Sequence, residues 1–160
     1  LAKLAVIYGS GTGNTAEMAA AVDDGSRSEG LETEVLLLGN LTEDVPDGRS
    51  TTSVDDALAI MDSADAVAIG SSTYEMKPVV FVAQLLKKAG SLDLSGKVGA
   101  AFGPYATRPK AVGIITVAMK EWGMDVIEPG LQVSGAITGK IRQESRELGE
   151  SIARALSEKR

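Results

Sequence analysis

Cysteine and histidine are both absent from the 160 residues. Without cysteine there is no disulfide framework, no thiolate nucleophile and no iron–sulfur site. Lacking both residues, the chain cannot build a zinc site or a serine–histidine–aspartate triad, nor a di-iron centre that uses histidine. Long apolar runs are missing too: none approaches a membrane span, and no signal peptide precedes the first strand-like segment, so a cytoplasmic protein is expected. Basic residues are outnumbered, 16 lysines and arginines against 22 acidic residues, giving a net charge of −6. That argues against nucleic acid as a partner, because phosphates need a basic surface. It favours protein partners with basic docking surfaces. The chain opens on Leu1 rather than methionine, which fits trimming or excision from a longer polypeptide.

What is present is ordinary for a globular chain: 44% apolar and 24% charged residues, in a length that suits one domain over residues 1–160, expected as a monomer. Short apolar runs at residues 4–8, 33–38, 66–69, 98–102 and 126–133 read as strands. The first four are nearly continuous rather than alternating, as in strands covered on both faces. Helical patterns fall between them at 14–28, 53–62, 78–88, 110–122 and 141–158. Pro78 suits a first helical turn, and Gly90 and Gly123 stand where helices should stop. Residues 43–53 are polar, with Pro46 and Gly48, and read as a surface loop. Five strands alternating with five helices predict an α/β fold. The expected sheet is doubly wound, parallel and five-stranded, with helices on both faces.

In such a sheet, ligands bind beyond the carboxyl ends of the strands, where the strand order reverses. The first strand runs there into Gly9-Ser10-Gly11-Thr12-Gly13-Asn14-Thr15. Alternate glycines let backbone N–H groups approach a ligand, and the following helix adds unpaired N–H groups and the positive end of its dipole. Ser10, Thr12 and Thr15 offer hydroxyls and Asn14 an amide, so the loop reads as a cradle for one anion, a terminal phosphate above all. A Walker loop is excluded, because no lysine lies between Lys3 and Lys77. The dinucleotide pattern G-x-G-x-x-[GA] fits Gly11, Gly13 and Ala16 on spacing alone. However, the second strand ends Leu36-Leu37-Leu38 with no acid for a ribose, and Glu34 lies at its wrong end.

Ser10-Gly11-Thr12-Gly13-Asn14-Thr15 resembles the phosphate loop of the flavodoxins, and the similarity extends along the whole chain. Gly70-Ser71-Ser72-Thr73-Tyr74 is similar to Gly-Ser-Pro-Thr-Tyr in the flavodoxin domain of the A-type flavoproteins, the flavodiiron proteins, with Ser72 in place of the proline. Phe102, Gly103 and Tyr105 fit the Phe-Gly-Ser-Tyr-Gly-Trp-Ser-Gly stretch of those proteins. Pro104, Ala106, Thr107, Arg108 and Pro109 depart from it, Thr107 standing where the tryptophan would be. The resemblance implies the strand order 2-1-3-4-5 and FMN as cofactor. It implies contacts from Ser10, Gly11, Thr12, Gly13, Asn14 and Thr15, then from Ser71, Ser72, Thr73, Tyr74, Glu75 and Met76. The third group is Gly103, Pro104, Tyr105, Ala106, Thr107 and Arg108. Tyr105 is then the first candidate to cover the ring and Tyr74 the second, while Phe81 and Trp122 read as core.

By the same resemblance the chain is an electron carrier working one electron at a time between redox proteins, rather than a stand-alone enzyme. The alternatives are the flavodoxin domain of a flavodiiron oxygen or nitric oxide reductase, and a small FMN-dependent NAD(P)H or quinone reductase. A signalling receiver of the same topology would need aspartates clustered at the strand ends, where Tyr8-Gly9-Ser10 and Ile69-Gly70-Ser71 stand instead. Lys77, Arg108 and Lys110 lie in or beside the expected flavin loops. One cation within reach stabilises a reduced anionic flavin by ~1–2 kcal/mol, which raises a one-electron potential by about 40–90 mV.

Overall fold

The computed structural model describes residues 1–9, 13–39 and 51–159. The first half of the chain runs β1 (Lys3–Gly9), α1 (Gly13–Ser28), β2 (Glu32–Leu37), α2 (Val54–Ser63) and β3 (Ala66–Ser71). A small hairpin follows, β4 (Thr73–Tyr74) and β5 (Lys77–Pro78), then α3 (Val80–Ala89) and β6 (Val98–Tyr105). The chain closes with α4 (Ala111–Glu121), β7 (Asp125–Val126), β8 (Leu131–Ser134) and α5 (Gly139–Glu158). The main sheet is parallel in the order β2-β1-β3-β6-β7, and β8 pairs with β6 beyond β7. This is the expected doubly wound order, with β7 and β8 sharing the fifth position.

The continuous apolar runs are explained by cover on both faces. Ala5, Ile7, Val67, Ile69 and Ala101 point to a core completed by α2, α3 and α4. Their alternates Leu4, Val6, Ala66, Ala68, Ala100 and Phe102 point to a core completed by α1 and α5. Burying each of the leucine, isoleucine, valine and phenylalanine side chains among them stabilises the fold by ~1.5–3 kcal/mol. Phe81 and Trp122 are half-buried and pack against the first core. Sequence-local caps set the helix starts: Ser53 Oγ accepts the Asp56 N–H at 3.1 Å, and Thr138 Oγ1 accepts that of Ile141.

Three boundaries differ from expectation. The fifth strand is two short segments, because Pro129 offers no N–H to a ladder and interrupts the run at the sheet edge. β6 continues past Phe102 to Tyr105, because β8 pairs with residues Phe102 to Tyr105 after β3 has ended. Pro78 is strand rather than first helical turn, since Lys77 and Pro78 pair back onto Tyr74 and Thr73. Of the polar loop at 43–53, residues 43–50 lie outside the described residues.

Helices α1 and α5 meet backbone to backbone. A Cβ on Gly25 would press into the Arg146 carbonyl, and one on Gly149 into the Val22 carbonyl. Gly149→Ala should therefore lower stability by about 2–3 kcal/mol in urea unfolding followed by far-UV circular dichroism. An unchanged midpoint would show that the two helices separate without cost.

Candidate functional site

The strand order reverses between β1 and β3: the chain leaves β1 toward β2 on one side and reaches β3 on the other. At that point Gly9 and Ser71 are register partners, the last residues of their strands. Gly70 pairs with Phe102, and a Cβ on Gly103 would press into the Ser71 carbonyl. The three stretches singled out in the sequence therefore start from one sheet edge, side by side. β8 brings a fourth there, since Ser134 pairs with Tyr105. No site residue is assigned to that fourth stretch by sequence reasoning, although the strand expected to end at Val133 points to the same edge.

Ser10, Gly11 and Thr12 lie outside the described residues. Gly13 opens α1, and among the described residues nothing stands within 4 Å of a Cβ placed on it. Asn14 is half-buried, whereas Thr15 is fully buried and its Oγ1 makes no hydrogen bond. A buried hydroxyl without a partner costs ~1–3 kcal/mol, and such groups are rare in folded proteins. This one sits in the first turn of a 16-residue helix, where backbone N–H groups also lack intrahelical acceptors. An anion at that helix end would take up the hydroxyl and the amides together.

The second stretch is held by its own side chains. Ser71 is buried; its hydroxyl donates to the Ser72 carbonyl and accepts the Val79 N–H at 3.0 Å. This closes the loop that carries the β4–β5 hairpin and supplies a partner at the start of α3, whose Val79 cap residue has no polar side chain. Glu75 and Met76 form the hairpin turn with φ of 48° and 65°, and both are exposed. Positive φ at both central residues is the type I′ pattern that fits strand twist, and it ordinarily selects asparagine and glycine. Thr73 reaches across to the third stretch: its Oγ1 accepts the N–H of Ala111 at 3.1 Å and that of Lys110 at 3.4 Å. Lys110, the formal cap of α4, makes no side-chain cap bond, so a threonine 38 residues upstream caps that helix.

In the third stretch Gly103, Pro104 and Tyr105 are the last three residues of β6, with Tyr105 half-buried. Ala106, Thr107 and Arg108 are exposed beyond it, as are Lys77 and Lys110. Ser72 is half-buried beside Ser71, and the backbone of Tyr74 lies in β4. Glu34 stands far from these loops. It is exposed in β2 and lines a cleft of about 330 Å³ with Lys3 and Glu32 toward the amino ends of the strands. Among the described residues, no acid stands at the loop end of β2, where a dinucleotide ribose would require one.

Two substitutions test this local reading. Thr73→Val should lower stability by about 1 kcal/mol in chemical denaturation, and Thr73→Ser should restore most of it. Met76→Gly should raise stability by roughly 0.5 kcal/mol; a loss instead would mean that the methionine side chain is held by contacts outweighing its backbone conformation.

Comparison with known proteins agrees with this geometry. The family model described as Flavodoxin matches residues 6–149. The type A flavoprotein fprA of Rhodobacter capsulatus is 29% identical over 150 residues, covering 94% of this chain and 32% of its own length. An NAD(P)H dehydrogenase (quinone) of Methylocella silvestris is 32% identical over 117 residues, covering 68% of this chain and 59% of that protein. The structure of a flavodoxin from the domain Archaea superposes with a TM-score of 0.81 at 30% identity, over 97% of this chain and 99% of that one. The chain thus spans about a third of the type A flavoprotein and nearly all of the archaeal flavodoxin. An open sheet edge with an anion-ready helix at its switch point, matched by family and by fold, makes this chain a member of the flavodoxin family, whose cofactor is FMN.

Proposed function

We propose that the chain binds FMN at the β1–β3 edge and serves as a one-electron carrier between redox proteins in the cytoplasm. The observation that carries the reading is the buried, unpartnered Thr15 hydroxyl at the start of α1. The phosphate of FMN is a terminal dianion, and hydroxyl and amide dipoles hold it without a lysine. Thr15 and the first-turn amides of α1 would bind that phosphate, joined by Ser10, Thr12 and Asn14. The β4–β5 hairpin, from Thr73 to Pro78, would border the ring on one side. Tyr105, at the end of β6, would cover one ring face, with an aromatic contact worth ~1 kcal/mol. Thr73 holds these last two walls in a fixed relation through the α4 amides. When bound, FMN supplies one-electron redox chemistry.

A second reading has its own observation: 94% of the chain aligns with a type A flavoprotein of which it covers only 32%. The same site would then feed electrons to a further domain of a longer reductase. In either case, absorption spectra recorded through FMN addition and stepwise dithionite reduction should show flavin bands and a long-wavelength band midway. Bleaching by NADH alone would favour a pyridine-nucleotide reductase, the activity named for the Methylocella silvestris relative. Failure to bind FMN would overturn the proposal.

Two variants sharpen it. Thr15→Val removes an unsatisfied buried hydroxyl while keeping its shape. It should therefore stabilise the flavin-free protein by ~1 kcal/mol yet weaken FMN binding by about tenfold or more, measured by thermal unfolding and flavin fluorescence. Arg108→Glu should lower the more negative of the two flavin potentials by roughly 40 mV or more. Potentiometry that finds no shift would remove Arg108 from the site's electrostatics.

A further inference from the structure

The net charge of −6 is unevenly distributed. Residues 73–120, spanning the hairpin, α3, β6 and most of α4, hold seven basic and two acidic residues; the rest of the chain holds nine basic and twenty acidic ones. A segment of local charge +5 is thus set in a chain otherwise at −11. Of these basic residues, Lys110 lines a groove of about 500 Å³ together with Pro109, Gly113, Ile114, Val117 and Gln132. Ile114 and Val117, one helical turn apart on the outer face of α4, are 41% and 56% exposed. The opposite wall is β8, which pairs only with β6 among the described residues and so leaves one strand edge open. Lys110 and Arg108 make no ion pair among the described residues, while Lys120 is paired with Glu128 at 2.6 Å. An apolar floor with a charged rim is the arrangement of a protein docking site rather than of an ordinary solvated helix face.

We propose that this α4–β8 face docks an acidic protein, against the direction that the whole-chain charge indicates. Long-range steering follows the charge facing the partner, because a Debye length of ~10 Å at 0.1 M salt screens the acidic far side. Lys110, Arg108 and Lys77 would draw in the acidic surface, and Ile114 and Val117 would hold it once water is expelled. The face adjoins the mouth of the proposed flavin site, since Lys110 is bound through its N–H to Thr73. The redox character of the partner rests on the electron-carrier reading, but docking itself does not, so binding rather than turnover is the readout.

The experiment is a titration of the ¹⁵N-labelled chain at low salt with cytochrome b5, a small acidic haem protein, and in parallel with basic cytochrome c. Cytochrome b5 should shift the amides of Lys110, Gly113, Ile114, Val117 and Gln132 saturably, with affinity falling as salt rises. Lys110→Glu should weaken that binding roughly fivefold, as expected for reversing one rim charge. Ile114→Ser with Val117→Ser should weaken it without altering its salt dependence. Absence of shifts with cytochrome b5, or shifts of these amides with cytochrome c instead, would overturn the proposal. So would movement of the same amides on diluting the chain alone, which would mark the face as a contact between two copies.

Discussion

Everything at the candidate site depends on how closely the backbones of β3 and β6 approach at the sheet edge. Gly103 leaves no room for a side chain against the Ser71 carbonyl, and Gly70 leaves none against the ring of Phe102. Because those side chains are missing, Phe102 is fully buried above Gly70 and the strands stay in register as far as that pair. The second and third stretches thereby start side by side at that edge. Ser71 then closes the second loop onto the start of α3, and Thr73 ties the hairpin to the start of α4. Two hydroxyls do the positioning that longer secondary structure would otherwise provide.

The electrostatic plan follows from the same economy. The first loop has no lysine or arginine, and among the described residues its strongest feature is a hydroxyl buried without a partner. Fixed dipoles suit an anion that is stored, whereas a mobile cation suits a phosphate whose charge changes during reaction. Formal positive charge is placed instead on the hairpin and the third loop, at Lys77, Arg108 and Lys110, all exposed. On the proposed reading, the molecule separates the holding of a phosphate from the tuning of a ring and the greeting of a partner.

Most of the fold was legible in the sequence, because strands covered on both faces must be apolar throughout and the helices between them carry a separate period. The order of elements follows from that alone, whereas the gathering of the three stretches rests on the resemblance to the flavodoxins. Less legible were features that depend on distant chain segments. Gly103, Pro104 and Tyr105 read as loop because nothing local reveals that β8 will pair with them. Pro78 read as a helix start because a hairpin turned by Glu75 and Met76 lacks the usual glycine signal. The role of Thr73 as a cap for α4 spans 38 residues and has no local signature. The positive charge of residues 73–120 was hidden in a whole-chain total of the opposite sign.

The most direct test of the account compares FMN with riboflavin, which carries the same ring without the phosphate, by quenching of flavin fluorescence in the unaltered chain. If the buried Thr15 hydroxyl and the start of α1 hold the phosphate, FMN should bind at least about a hundredfold more tightly than riboflavin, in line with two or more charge-assisted hydrogen bonds. Equal affinity for both flavins would contradict the account: it would place the binding energy in the ring and leave the Thr15 hydroxyl without a ligand.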